Sequence, residues 1–172
     1  MNIKSIAIGL VCSIILLLSG CATSGYVWKS EPVMNLVGND YFAAEISPIC
    51  TSWGCESFAL RITNKTDKNL ELNWNKTLYI SQGQTRGGFM FEGVVYKDRN
   101  NPKSPDIIFS GSNLVKQIWP NNLVYFESGR YGGWRHISMP PGENGVYLTI
   151  TIDGKEVNEK LSVSLSMEKE KK

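Results

Sequence analysis

Four features of the 172-residue chain carry side chains with chemistry worth testing: a close pair of cysteines, a lone histidine, two glycine pairs flanked by arginine and aromatic residues, and a tryptophan between the cysteines. Cys50 and Cys55 lie in Pro48-Ile49-Cys50-Thr51-Ser52-Trp53-Gly54-Cys55. In an oxidising compartment an isolated pair this close forms a disulfide. Structural zinc wants four protein ligands, and besides this pair the sequence offers the distant His136. Closing so small a ring stabilises by about 2 kcal/mol through chain entropy, so its task is to pin a loop. Trp53, at the tip of that loop, is expected to fold back over the end of the domain and cap its core. The alternative is a pre-organised contact residue, for which rigidity lowers the entropic cost of binding.

His136 stands in Trp134-Arg135-His136-Ile137. A general base needs a positioned partner and usually a nucleophile, yet neither a Gly-x-Ser-x-Gly elbow nor a His-Glu-x-x-His pair occurs. A strand-face histidine without catalytic duty is expected, with no enzyme activity, no cofactor and no metal. Gly87-Gly88 and Gly132-Gly133 would cradle phosphate only ahead of a helix N-terminus, which the sequence does not offer; they read as turns. Around the second pair, however, Arg130, Tyr131, Trp134 and Arg135 combine rigid amphipathic area with charge, the composition enriched in binding hot spots. Together with Trp53 they are the candidate partner-binding residues. Asn64-Lys65-Thr66 and Asn75-Lys76-Thr77 match a glycosylation pattern, but are expected to act as turns in which Asn and Thr side chains bond nearby backbone.

The N-terminus speaks about address. Lys4 precedes an apolar run from Ile6 to Leu18 that ends in Leu18-Ser19-Gly20-Cys21. A membrane span needs roughly 20 apolar residues, and a positive start, short apolar core and small-residue site describe an export signal. The tetrapeptide resembles the lipobox of bacterial lipoproteins. That resemblance implies cleavage before Cys21, a thioether-linked diacylglyceryl group and an N-acyl chain on it, and anchoring in a membrane without help from the protein surface, since two or more chains hold stably. Ala22 in place of an aspartate resembles the class that enteric-type bacteria send to the outer membrane. The expectation is an envelope protein held on the outer membrane, with residues 1–20 the signal, 21–39 the lipidated tether (docking of Tyr26, Val27 and Trp28 on the domain being the alternative), 40–167 the domain and 168–172 a charged tail.

Removing the signal leaves 152 residues, enough for one domain with one core. The remaining balance of 17 basic to 16 acidic residues, with no basic block, argues against a nucleic-acid partner.

Beyond residue 40 short β-prone runs alternate with Gly, Pro, Asn and Asp clusters. Strands are expected over 41–46, 56–63, 70–74 continuing at 78–80, 89–96, 107–109, 114–119, 123–127 and 134–139, with a firm turn at 140–145. The last hairpin is the strongest pattern: Val146, Leu148, Ile150 and Ile152 alternate with polar residues, Asp153-Gly154 suits a tight primed turn, and Leu161, Val163 and Leu165 return on one face. Residues from Met167 on are expected to fray. No helical period appears, so the expectation is an all-β, immunoglobulin-like antiparallel sandwich, with a lipocalin-like small barrel as the alternative. The segment Phe58 to Ile80, which opens Phe-Ala-Leu-Arg-Ile-Thr-Asn-Lys-Thr-Asp-Lys-Asn-Leu-Glu-Leu-Asn-Trp, resembles early strands of immunoglobulin-like domains in small exported bacterial proteins, and carries over no functional residue.

Expected functions follow in order: a non-catalytic envelope lipoprotein that binds or braces an envelope protein, as an accessory of secretion, envelope assembly or phage or plasmid exclusion; a binder of glycans or exported polymers through its Trp and Tyr loops; and last, a hydrolase whose site carries no known signature.

Overall fold

The computed structural model describes residues 25–170. The expected signal peptide and the lipidation site Cys21 lie outside them.

The final hairpin forms as its alternation dictates. Strand β13 (Gly142–Ile152) and strand β14 (Lys155–Lys169) pair antiparallel throughout, and Val146, Leu148, Ile150, Leu161, Val163 and Leu165 are all buried. Asp153 and Gly154 make the turn at φ 49° and 75°, the positive pair that a type I′ turn needs and that glycine adopts at no steric cost.

The preceding strands are β1 (Tyr26–Glu31), β2 (Asn35–Gly38), β3 (Phe42–Thr51), β4 (Gly54–Asn64), β5 (Leu70–Leu72), β6 (Leu78–Ser81), β7 (Gln84–Thr85), β8 (Phe89–Phe91), β9 (Asp106–Ile108), β10 (Asn113–Pro120), β11 (Val124–Glu127) and β12 (Gly133–His136). One sheet runs β1-β14-β13-β5-β9, with β6 and β7 attached beside β13; the other runs β2-β3-β4-β10-β8; β11 and β12 form a separate ribbon. Every pairing is antiparallel. The chain crosses between the two sheets from β1 to β2, β4 to β5, β7 to β8, β8 to β9 and β9 to β10, and β13 inserts between β5 and β14. Four strands β3-β4-β10-β8 facing β5-β13-β14 is the strand distribution of an immunoglobulin-like sandwich. Both sheets keep open edges, which excludes the barrel alternative.

The core lies between the sheets. Phe42, Ala44, Ile46, Phe58, Leu60, Ile62, Phe89 and Ile118 come from one side, Leu70, Leu72, Tyr79, Ile108 and the hairpin residues from the other, in one cluster. At the rim Lys116 of β10 reaches Asp106 of β9 at 2.5 Å, and Asp106 also accepts the Trp74 indole N–H at 2.9 Å, so a polar clasp joins the two sheets.

Several expectations need correction. Residues 26–38, read as tether, form β1 on the edge of β14 and β2 on the edge of β3. Their side chains alternate weakly because an edge strand buries little. Residues Met167 to Lys169 do not fray; they pair with Trp28 to Tyr26. The strand expected over 89–96 stops at Phe91: Gly93 takes φ 91°, and Tyr96–Asp98 form a 3-10 turn. The expected turn at 140–145 yields to β13 at Gly142, because the buried Asn144 donates to Pro140 O and Gly142 O at 2.7 and 3.0 Å and so satisfies the bend from inside the strand.

Asn64-Lys65-Thr66 behaves as expected. Asn64 is 2% exposed; its Oδ1 accepts from Thr66 N at 2.9 Å and its Nδ2 donates to Lys68 O, Ile108 O and Phe109 O.

The registers define two ends. Tyr26 pairs with Lys169, Gly142 with Leu165, and Met139 N–H donates to Cys55 O at 2.7 Å, which gathers the chain's described N- and C-termini and the cysteine hairpin at one end. The 153–154 turn, the 65–69 turn and the loop after Ile108 meet at the other, where Lys68 pairs with Asp153.

Candidate functional site

The cysteine hairpin is built by β3 and β4. Their register shifts between Ile49 and Cys50, which sets Cys50 opposite Cys55, and the two are joined in a disulfide. Trp53 does not cap the core. It stands 87% exposed, its N–H held by Thr51 Oγ1 at 3.1 Å. The end of the core is closed instead by Met139, which is fully buried. Gly54 makes this packing possible: at φ 145° it lies so close to the chain leaving β12 that a Cβ would fall 2.0 Å from Ser138 Oγ and 2.4 Å from Ser138 Cβ. Cys55 N–H donates to the same Ser138 Oγ at 3.0 Å. The hairpin and the chain leaving β12 are thus fastened to each other.

The β11–β12 ribbon carries the other candidate residues. Phe126 faces Trp134, Tyr125 faces Arg135 and Val124 faces His136 across it. Arg135 Nε donates to Glu127 Oε2 at 2.7 Å and Nη2 to Tyr131 O at 3.2 Å. The hydrogen bond that Arg135 donates to Glu127, and then the Glu127 charge, push the Arg135 pKa up further, keeping the guanidinium charged. Arg135 therefore braces the turn on which Tyr131 stands, 82% exposed, with the Arg130 guanidinium 5.8 Å from the Tyr131 ring centre.

Trp134 belongs to a stack that the sequence spacing does not announce. Its ring lies 3.8 Å from that of Tyr96 and 5.0 Å from that of Phe126, edge-on to the latter, and Arg99 covers Tyr96 at 3.9 Å. Beside this stack opens a cleft of about 220 Å³. Its walls come from three separate stretches: Met90 to Val94 at and just past the end of β8, Trp119 on β10, and Val124, Trp134 and His136 of the ribbon. Trp119 pairs with Met90 on the outward face of their sheet, and His136 lies flat over Trp119 at 5.6 Å with its Nδ1 3.7 Å from Glu56 Oε2.

Arg130, Tyr131, Trp134 and Arg135 are brought together by one ribbon, and Trp53 projects from the neighbouring hairpin at the same end. Trp119, Tyr96, Arg99, Met90 and Val94 escaped the sequence reading because single residues from distant segments carry no spacing signal. Both cysteines are tied in the disulfide. Among the described residues no group of three His, Cys, Asp or Glu side chains is placed to hold a metal. Neither any known protein family nor any curated protein matches the chain.

Proposed function

We propose that this chain is a lipid-anchored envelope module that acts without catalysis, recognising an envelope protein through the cleft beside its β11–β12 ribbon. The observation that carries the reading is the cleft itself. It is apolar, walled by Trp119, Trp134, Met90 and Phe91, with Glu92 and His136 among its lining residues. Small-molecule sites run roughly 300–1,000 Å³; this one is smaller and suits a single anchoring side chain, the way a partner seats a hot-spot residue. The glycan reading is weaker here. Trp134 is already stacked with Tyr96, and Trp119 lies under His136, so these rings offer edges more than open platforms. The lipobox-like Leu18-Ser19-Gly20-Cys21 supports anchoring at Cys21 on the outer membrane.

The test uses a photo-reactive residue at Val95, which is 58% exposed beside the cleft. Irradiated cells should yield a discrete adduct, and Val94→Arg, which places a charge in the cleft outside the sandwich core, should abolish it while leaving the melting temperature unchanged. An adduct of unchanged yield in Val94→Arg contradicts the cleft as the recognition site.

A further inference from the structure

The cysteine end of the sandwich carries both the chain's approach to Cys21 and most of its exposed aromatic surface, and we infer that this end rests on the bilayer, with Trp53 as an interfacial anchor. The inference depends on the lipidation of Cys21 proposed above.

Two independent observations converge. The first is reach. The sheet begins at Tyr26, and Gly25 O already accepts from Glu170 N at 2.8 Å. From Cys21 to Gly25 the backbone spans at most about 14 Å even fully extended, whereas a tether running to residue 39 would reach roughly 60 Å. A domain leashed so closely keeps the end from which the leash emerges toward the membrane. The headgroup layer on each face of a bilayer is about 5–7 Å thick, so the end of β1 lies within reach of it.

The second is surface chemistry. Of the eight exposed aromatic side chains among the described residues, six belong to segments rooted at this end: Tyr26, Trp53, Tyr125, Phe126, Tyr131 and Trp134. Val27, Ile49 and Met167 add exposed aliphatic area beside them. Tryptophan and tyrosine are the side chains that settle at a membrane–water boundary, where one part of the ring is dry and the other wet. Trp53 suits this duty. Its backbone is fixed by the disulfide hairpin, it stands 87% exposed, and no fold-stabilising role competes for it. Glu127 and Glu168 at this end are taken up by Arg135 and Lys29, which blunts their repulsion from anionic lipid. The opposite end is different in kind: its turns are held by Asn64, Thr66, Lys68 and Asp153. The inference also places the cleft beside the membrane surface, so that its partner is met there.

The experiment reconstitutes the lipidated full chain into vesicles of phosphatidylethanolamine and phosphatidylglycerol containing bromine-labelled acyl chains, which quench tryptophan at short range. Flotation is scored first, for the wild type and for Cys21→Ser. Anchoring predicts that the wild type floats and the variant does not; a wild type that stays in solution overturns the anchor and this inference together. In floating protein, emission should be quenched relative to unlabelled vesicles, and Trp53→Phe, at an exposed tip, should remove most of that quenching without shifting the melting temperature. Phe109→Trp, at the opposite end, should add emission that is not quenched. Floating protein whose quenching is unchanged by Trp53→Phe, or in which the added tryptophan at 109 is quenched equally, overturns the orientation while leaving the anchor standing, and assigns the aromatic tips to a partner molecule.

Discussion

Lys116 and Asp106 show how single residues tie the two sheets together. The Lys116 ammonium lies 2.5 Å from Asp106 and 4.2 Å above the Phe91 ring, with the pair only 25% and 30% exposed. Removing one partner of a shielded pair leaves the other charge uncompensated. Asp106→Ala also strands the Trp74 indole N–H, so it should cost about 2–3 kcal/mol in urea unfolding. Lys29→Ala, which breaks the well-exposed pair with Glu168, should cost under about 1 kcal/mol. Equal losses for the two would mean that the clasp contributes no more than a surface pair. A second residue, Tyr79, makes stability depend on alkaline pH. It is 1% exposed and bonded to Asn144, and burial pushes its phenol pKa above the usual 10.0. A folded pKa raised in this way gives stability that is complete below the unfolded value and lost as pH climbs through the folded one. The wild type should therefore weaken above pH 10 more steeply than Tyr79→Phe, while that variant costs about 1–2 kcal/mol at neutral pH by leaving Asn144 Oδ1 without its donor. Parallel slopes in the two proteins would rule out the phenol as the source.

Elements differed in how openly the sequence declared them. The β13–β14 hairpin was legible because Val146 to Ile152 alternate against a core and Asp153-Gly154 admits little but a primed turn. The cysteine hairpin was legible because two thiols so close, in a chain expected to be exported, have few other fates. β1 and β2 were missed because each is an edge strand with one neighbour, so Tyr26, Val27 and Leu36 stay exposed and the period of two fades. The candidate cleft was barely legible: of the arginines and aromatics of 130–135 that stood out by composition only Trp134 lines it, and Met90, Trp119 and Val124 join it only through folding. Trp53 was misjudged because sequence shows a tryptophan in a clipped loop but not that Met139 already closes the core beneath it. Two substitutions test the hairpin. Cys50→Ser with Cys55→Ser should lower stability by about 2 kcal/mol without abolishing folding. Gly54→Ala, at φ 145° and against Ser138, should cost about 1–3 kcal/mol from backbone strain and, by loosening the Ser138 contact, raise protease cleavage within residues 124–138. Unchanged cleavage in a destabilised Gly54→Ala would separate the hairpin from the ribbon.

At the scale of the whole molecule, the sandwich divides its labour between two ends. Side-chain hydrogen bonds from Asn64 and the Lys68–Asp153 pair finish the turns at one end. At the other, Trp53 and Tyr131 stand exposed, Trp134 lines a cleft, and the chain leads back toward Cys21 within five residues of the first strand. Both functional proposals, recognition beside the membrane and a membrane-resting end, require that Cys21 be the anchor. The direct measurement is the intact mass of the protein extracted from the membrane fraction, together with the fractionation of Cys21→Ser. The expected result is a mature chain beginning at Cys21 whose excess mass corresponds to a diacylglyceryl group and an N-acyl chain, and a Cys21→Ser protein that is never lipidated. A membrane-fraction chain that begins elsewhere, or that carries an unmodified Cys21, would contradict the anchored module.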